Sequence, residues 1–345
     1  MADLRVAVVG ATGAVGPEVL RVLEERRFPA AEVGAFASAR SAGQRVPFAG
    51  DQLAVRELTD DALAGYDLAL FSAGADTSRR FAREAVRRGC VVIDKSSAFR
   101  LADDVPLIVP EVNPETADGH RGIVANPNCS TIQLVTALKP IHDAARITHL
   151  TISTYQAVSG TGAKAVEELR EQSRALLDGQ AHRPTVYPHQ IAFNALPHCE
   201  TFDGAETTEE TKLVAETHKI LADPGIGISA TCVRVPVWRG HSEAVWVETE
   251  RSLGADEARD LLDRAPGVRV VDDPAEARYP LASDASGGDD VLVGRIRRDP
   301  SREHGLVMWI VADNLRKGAA TNGVQIAELL AARGLVRVPD AEAAA

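Results

Sequence analysis

Hydrophobic and polar positions along this chain follow two different periods. Leu4-Arg5-Val6-Ala7-Val8-Val9 is a short β-prone run that breaks into Gly10-Ala11-Thr12-Gly13-Ala14-Val15-Gly16. Over residues 17–26, Val19, Leu20, Val22 and Leu23 then recur at helical spacing, with Pro17 suited to a first turn. Residues 33–37, 67–71 and 90–94 read as further strands, and 76–88 as a helix between the last two. Continuous apolar strands alternating with amphipathic helices predict a parallel sheet covered on both faces. That pattern holds to about residue 128.

Beyond it the apolar runs lengthen and alternate more, at 147–158, 228–237, 242–249, 291–298 and 306–312. Helical stretches near 162–177, 208–221 and 255–264 interrupt them. This second pattern predicts an α+β domain with a mixed or antiparallel sheet. A last helix, about 321–333, is expected to return to the first domain, and 340–345 to fray as a tail. There is no internal repeat and no low-complexity linker.

The chain's 345 residues suffice for two domains, and its 45% hydrophobic and 25% charged residues are ordinary globular values. A net charge of −11 disfavours nucleic acid or an anionic membrane as partner, and it makes individual Arg and Lys residues worth tracing. The N-terminus runs straight into a strand without an apolar signal region, and no apolar run nears membrane-spanning length. Cys90, Cys129, Cys199 and Cys232 lie far apart without a Cys-x-x-Cys pair, so they read as cytoplasmic thiols. The irregular spacing of His182, His189, His198 and Cys199 argues against a metal site.

Two motifs carry chemistry. Gly10-x-x-Gly13-x-x-Gly16 lies between a strand and a helix, as a Rossmann-type dinucleotide loop requires. NAD binders usually end the second strand on a carboxylate. Here the segment is Ala37-Ser38-Ala39-Arg40-Ser41, and its hydroxyls and guanidinium suit the 2′-phosphate of NADP. The second motif, Asn126-Pro127-Asn128-Cys129-Ser130-Thr131, sets a thiol at the mouth of a helix. Unpaired amides there favour the nucleophilic thiolate and could stabilise an oxyanion. The plain alternative for Cys129 is a small core residue in a strand-to-helix turn.

Together with Ser96-Ser97-Ala98-Phe99-Arg100, Tyr155-Gln156-Ala157-Val158-Ser159-Gly160 and Arg239-Gly240-His241-Ser242-Glu243, these motifs resemble, in their order, the bacterial aspartate-β-semialdehyde dehydrogenase family. The match runs from the first strand to Asp313-Asn314-Leu315-Arg316-Lys317-Gly318-Ala319-Ala320. The resemblance implies an α/β protein with a Rossmann-type NADP-binding domain at 1–128, completed by about 314–345. An α+β catalytic and dimerisation domain would occupy 129–313. It further implies a cytoplasmic homodimer, an oxidoreductase of lysine (diaminopimelate), threonine and methionine biosynthesis. The implied reaction is NADPH-dependent reductive dephosphorylation of L-aspartyl-4-phosphate to the semialdehyde.

Carried over by position, Cys129 is the nucleophile, His241 the acid/base and Gln156 the group orienting substrate or intermediate. Arg234 pairs with the α-carboxylate and Glu209 with the α-amino group. Arg100 and Lys212 hold the phosphate, with Asn128 helping to place it. The glycine loop, with Thr12, Ala14 and Val15, and Ser38, Arg40, Ser41, Ser159, Gly160 and Asn314 contact the cofactor. An imidazole near its reference pKa of about 6.5 would let His241 act as acid and base around neutrality. By spacing alone, Glu209 and Lys212 form an ordinary i,i+3 ion pair, and His241 and Arg100 are surface residues.

The nearest enzymatic alternative is N-acetyl-γ-glutamyl-phosphate reductase. A free α-amino group calls for a carboxylate such as Glu209, whereas an acetylated substrate does not. A non-catalytic relative that kept only the fold would be marked by loss of Cys129 or His241, and both are present.

Overall fold

The structure is a computed structural model describing residues 4–338, so the expected tail at 340–345 lies outside the described residues. The chain divides into two compact units. One holds the residues up to Asn128 and those from Ala319 onward; the other is Cys129–Gly318.

In the first unit, β1 (Leu4–Val9), α1 (Gly16–Glu25) and β2 (Ala30–Ala37) form the expected βαβ unit. Then come β3 (Arg45–Phe48), β4 (Asp51–Glu57), β5 (Leu68–Phe71), α2 (Ala75–Arg87), β6 (Val91–Asp94) and β7 (Ile123–Ala125). The seven strands form one sheet in the order β3-β4-β2-β1-β5-β6-β7, parallel except for the edge pair β3–β4. The β3–β4 hairpin falls in a stretch where the hydrophobic pattern assigns no element. Asp51, Gln52, Arg56 and Glu57 are exposed on β4, and a strand so near the sheet's edge carries too little apolar alternation to stand out. Strand order reverses between β1 and β5, and loops beyond the carboxyl ends there are where open α/β sheets hold ligands. The C-terminal helix, Asn322–Ala332, packs on α1, β5 and β6, and Arg26 pairs with Glu328.

The second unit opens with α3 (Cys129–Ala145), β8 (Ile147–Gln156) and α4 (Ala163–Leu177). It continues through the short pair β9 (Phe202–Asp203) and β10 (Glu206–Thr207), then α5 (Thr208–Leu221), β11 (Gly227–Arg234) and β12 (His241–Thr249). The remaining elements are α6 (Ala255–Asp263), β13 (Val268–Val270), α7 (Ala282–Ala285), β14 (Val291–Arg298) and β15 (Gly305–Ala312). Its main sheet runs β11-β8-β12-β15-β14-β13 and is mixed: β11–β8 and β14–β13 are parallel, the other pairs antiparallel. Helices α3, α5 and α6 cover one face, where Leu134, Leu138, Ile141, Leu213, Leu262, Val245 and Ile310 share one apolar core. The opposite face carries Tyr155, Trp246 and Trp309, with the Tyr155 and Trp309 rings 5.2 Å apart.

After α4 the chain crosses a long segment without regular structure. Buried polar side chains of α4 fix it: Glu168 accepts from the backbone N–H groups of Thr185, Val186 and Tyr187, and Gln172 from those of Ile191 and Ala192. Burial raises the Glu168 pKa, but the Thr185 hydroxyl and then the three amides outweigh it, so the pKa is lowered. Among the described residues, no helix is long and apolar enough to cross a membrane.

Candidate active site

The loop after β1 is shaped by contacts that only glycine permits. Gly10 has φ +84°, and a Cβ there would lie 2.7 Å from the Ser72 carbonyl oxygen that follows β5. A Cβ on Gly16 would lie 2.3 Å from the Gly10 carbonyl oxygen. Gly13 differs. It is exposed and has an ordinary φ, and a Cβ there would lie 3.3 Å from the Gly10 carbonyl oxygen, a tight contact and not a prohibitive one. Thr12 is half-buried, Ala14 exposed and Val15 buried, and no side chain caps the first turn of α1. Uncapped amides and a bare glycine surface fit a pyrophosphate. Ser38 and Arg40 are exposed and Ser41 half-exposed on the short 3-10 turn Ala39–Ser41 that follows β2. Among the described residues the Arg40 guanidinium has no hydrogen bond or ion pair. Also in this unit, Arg100 is buried and donates from Nε to the Asn126 carbonyl (3.1 Å) and from Nη2 to that of Lys95 (2.6 Å). Asn128 is buried too.

In the second unit the sheet topology gathers the remaining candidates at one end. Strands β8 and β11 run in parallel and finish on Gln156 and Arg234, which pair in register. Strand β12 runs the other way and begins at His241, and β15 ends just before Asp313 and Asn314. The backbone of one residue, Ala157, ties two of the side chains together. The Ala157 N–H donates to His241 Nδ1 (3.0 Å), and its carbonyl accepts from Arg234 Nη1 (2.8 Å). Because an amide N–H can only donate, Nδ1 is an acceptor and the neutral ring carries its proton on Nε2.

Burial, and then the Arg234 charge, push the His241 pKa well below its usual value, against the opposing Gly240 carbonyl. This corrects the expectation of an imidazole titrating near neutrality: a fully buried ring beside a guanidinium stays neutral there. Nor is His241 a surface residue, since it is 0% exposed. Its Nε2 has no hydrogen-bond partner, and a Cβ on Gly160 would come within 3.2 Å of that atom. The glycine keeps this corner open.

Gln156 donates to Ser130 Oγ (2.9 Å) and to Glu209 Oε1 (3.0 Å), linking the head of α3 to the first turn of α5. A capping box between Thr207 and Glu210 fixes that turn, and Glu210 Oε1 also accepts from the Cys232 N–H. Glu209 is buried, while Lys212 is half-buried and pairs with Glu200, so spacing alone misjudges their partners. Asn314 accepts from the Gly240 N–H (2.9 Å) and donates to Ser159 Oγ (2.9 Å), steadying the residue before His241.

Cys129 is the first residue of α3 and the one cysteine that is not buried. Burial pushes the thiols of Cys90 and Cys199 up to about 12 and that of Cys232 above the usual range. A Cβ on Gly318 would lie 2.9 Å from that of Cys129. Gly318 and Ser130, to which the sequence motifs assign no role, thus lie against two candidate residues, Cys129 and Gln156. Among the described residues no cluster of His, Cys, Asp and Glu could hold a metal; His198 stacks on Phe202.

Comparison with known proteins agrees over almost the whole chain. Residues 5–120 match the family model described as semialdehyde dehydrogenase, NAD binding domain, and 138–317 the semialdehyde dehydrogenase dimerisation domain. The aspartate-semialdehyde dehydrogenase of Aquifex aeolicus is 54% identical over 337 residues, covering 96% of this chain and 99% of the relative. That of Bacillus subtilis is 48% identical over 342 residues, covering 96% and 99%. The crystal structure of aspartate semialdehyde dehydrogenase II complexed with ASA from Vibrio cholerae superposes with a TM-score of 0.94 at 46% identity, covering 96% and 99%. The Candida albicans enzyme with NADP gives 0.77 at 26% identity, covering 97% and 100%. The chain belongs to the aspartate-semialdehyde dehydrogenase family and has that activity, interconverting aspartyl phosphate and aspartate semialdehyde in the biosynthesis of the aspartate-derived amino acids.

Proposed function

We propose that the enzyme works with NADP and through a thioester on Cys129. An acyl phosphate is already activated, so a soft nucleophile can displace phosphate from it directly. Cys129, half-exposed at the head of α3 while the other thiols are buried, is the observation that carries this reading. Helix-start amides stabilise the thiolate and the oxyanion formed as sulfur attacks the carbonyl. NADPH, when bound, supplies the hydride that reduces the thioester. His241 enters as a neutral ring with its proton on Nε2, so it donates a hydrogen bond to the substrate oxygen and stabilises the negative charge that develops there.

Arg234, held by the Ala157 carbonyl, presents the rest of its guanidinium to the substrate α-carboxylate. Glu209 takes the α-amino group and, through Gln156, keeps the substrate in line with Ser130 and the nucleophile. Arg100, Lys212 and Asn128 serve the phosphate. For Lys212 this requires exchanging Glu200 for the anion. Thr12, Ala14, Val15, Ser38, Ser41, Ser159, Gly160 and Asn314 serve the cofactor beside the glycine loop and Arg40.

The aromatic outer face of the second sheet, with Tyr155, Trp246 and Trp309, suits a homodimer interface. Four thiols without a disulfide suit the cytoplasm. A direct test is nicotinamide-linked oxidation of L-aspartate-4-semialdehyde by the purified enzyme. Turnover should require phosphate or arsenate, prefer NADP over NAD, and leave an acyl or hemithioacetal adduct on Cys129. Phosphate-independent oxidation, or an NAD preference, would overturn the corresponding part of the reading.

A further inference from the structure

Beneath the reactive cluster lies a polar pair that the reaction just described does not use. Gln133 on α3 and Glu243 on β12 are both 0% exposed. The Gln133 amide lies near enough to Glu243 to favour the charged carboxylate, yet as placed neither side chain completes a hydrogen bond. Gln133 Nε2 and Oε1 and both Glu243 oxygens are unpaired. Buried polar atoms in folded proteins rarely stay so, and four together call for a shared explanation.

Counting donors and acceptors supplies one. An ionised carboxylate only accepts, so it can answer the amide N–H but leaves the amide carbonyl without a donor. A protonated carboxyl has one O–H and one carbonyl oxygen, the complement of a primary amide. In that state Glu243 O–H donates to Gln133 Oε1, and Gln133 Nε2–H donates to the Glu243 carbonyl, so all four atoms are paired. The surroundings act in the same direction. Burial pushes the Glu243 carboxyl well above the usual carboxylate range, against the next largest effect, that of the Gln133 amide, and the charge of Glu209 adds a smaller push upward.

The position of the pair gives it a task. On α3, Cys129 and Gln133 stand at i and i+4 and so share a helix face. On β12, His241 and Glu243 stand at i and i+2 and share a strand face. Helix α3 packs directly against β12. We propose that Glu243 is a neutral carboxylic acid joined to the Gln133 amide by two reciprocal hydrogen bonds. The pair fixes the helix of the nucleophile in register against the strand that carries His241. It rests on the reading of Cys129 and His241 as the reacting pair, and it makes Glu243 and Gln133 positioning residues.

The test combines a spectrum with a set of variants of the full-length enzyme. Near pH 7, the infrared spectrum of the wild type minus that of Glu243→Gln should contain the C=O band of a protonated carboxyl. In Gln133→Leu that band should shift. Glu243→Gln should keep kcat within about three-fold, because two amides can pair in the same cyclic way at nearly the same volume. Glu243→Ala and Gln133→Leu each strand one partner, and should lose on the order of 10- to 100-fold in kcat with KM for semialdehyde and NADP nearly kept. No acid band at pH 7, or a Glu243→Gln variant as impaired or as unstable as Glu243→Ala, would overturn the proposal. If Glu243→Ala does not fold, the band and Glu243→Gln still decide. If Cys129 proved not to be the nucleophile, the band would persist and only the positioning role would fall.

Discussion

The glycine loop of the first unit is one continuous stretch, residues 10–16, whereas the reactive cluster of the second draws Gln156, Glu209, Arg234 and His241 from three strands and a helix. The loop presents backbone outward, uncapped, with an Arg40 side chain standing exposed nearby in sequence. The cluster is buried, and its members are tied to one another through the Ala157 backbone and the Gln156 amide. The contrast follows from what each must do. A loop that binds a cofactor by its phosphates needs accessible amides and little else. Groups that move protons and orient an acyl carbon need fixed geometry and a setting that strengthens electrostatics. Damage to the loop should therefore be local and appear in cofactor binding, while damage to the cluster should appear in turnover.

The largest break in this contrast is expected at Cys129. Cys129→Ser should abolish turnover while leaving NADP binding near normal, because a serine alkoxide is far harder to form than a thiolate. Mass spectrometry of the denatured enzyme after reaction should find the substrate adduct on Cys129. An adduct on Cys90, Cys199 or Cys232, all buried, would move the reactive centre elsewhere.

His241→Asn should come next, losing about 10²–10⁴-fold in turnover with affinities largely kept. The depressed pKa of this ring makes a second demand. Unfolded His takes up a proton as pH falls through about 6.5, while the buried ring refuses it until lower pH, so the folded state is destabilised below about 6.5. The wild type should accordingly lose stability faster than His241→Asn as pH drops, by up to about 1.4 kcal/mol per unit. Denaturant melts of both proteins between pH 7 and 5 check this. Parallel curves would mean that the ring takes up its proton at the same pH in the folded enzyme as in the unfolded chain.

The same contrast explains what could be read from the chain alone. The loop was legible because its glycines, strand and helix are contiguous, and the contact between Gly16 and Gly10 is a local consequence of that order. Individual members of the cluster were named only through family resemblance. Taken by spacing, Glu209 and Lys212 looked like an ion pair, but a capping box and Glu200 send them to different partners. His241 looked like a loop residue and is fully buried, because the antiparallel entry of β12 puts it at the carboxyl ends of β8 and β11. Gly318 carried no signal, since its closeness to Cys129 arises only when the chain returns from the far end of the sheet.

A smaller effect, confined to the first unit, is expected at Arg40. Its removal takes away a charge-assisted contact of about 1.5–3 kcal/mol, roughly 10- to 150-fold in NADP affinity, with NAD binding little changed. Titration of both cofactors against Arg40→Ala separates the cases. Equal weakening of the two would assign the guanidinium to the pyrophosphate or to the fold.

The smallest effect sharpens the contrast within the loop itself. Gly16→Ala would drive a methyl to 2.3 Å from the Gly10 carbonyl oxygen, backbone against backbone, so it should destabilise the protein by about 1–3 kcal/mol. Gly13→Ala meets that same oxygen at 3.3 Å, with an ordinary φ and an exposed position, so its neighbour need give only slightly. Stability should therefore change by no more than about 0.5 kcal/mol, as for a surface substitution. Its methyl would instead stand on the side from which a pyrophosphate approaches, and a loss of about 1 kcal/mol there is roughly 5-fold in cofactor affinity. Melting curves and NADP titrations of the two variants should thus show opposite profiles. If Gly13→Ala lost stability and kept its affinity for NADP, the glycine at position 13 would be a requirement of the turn and not of the ligand.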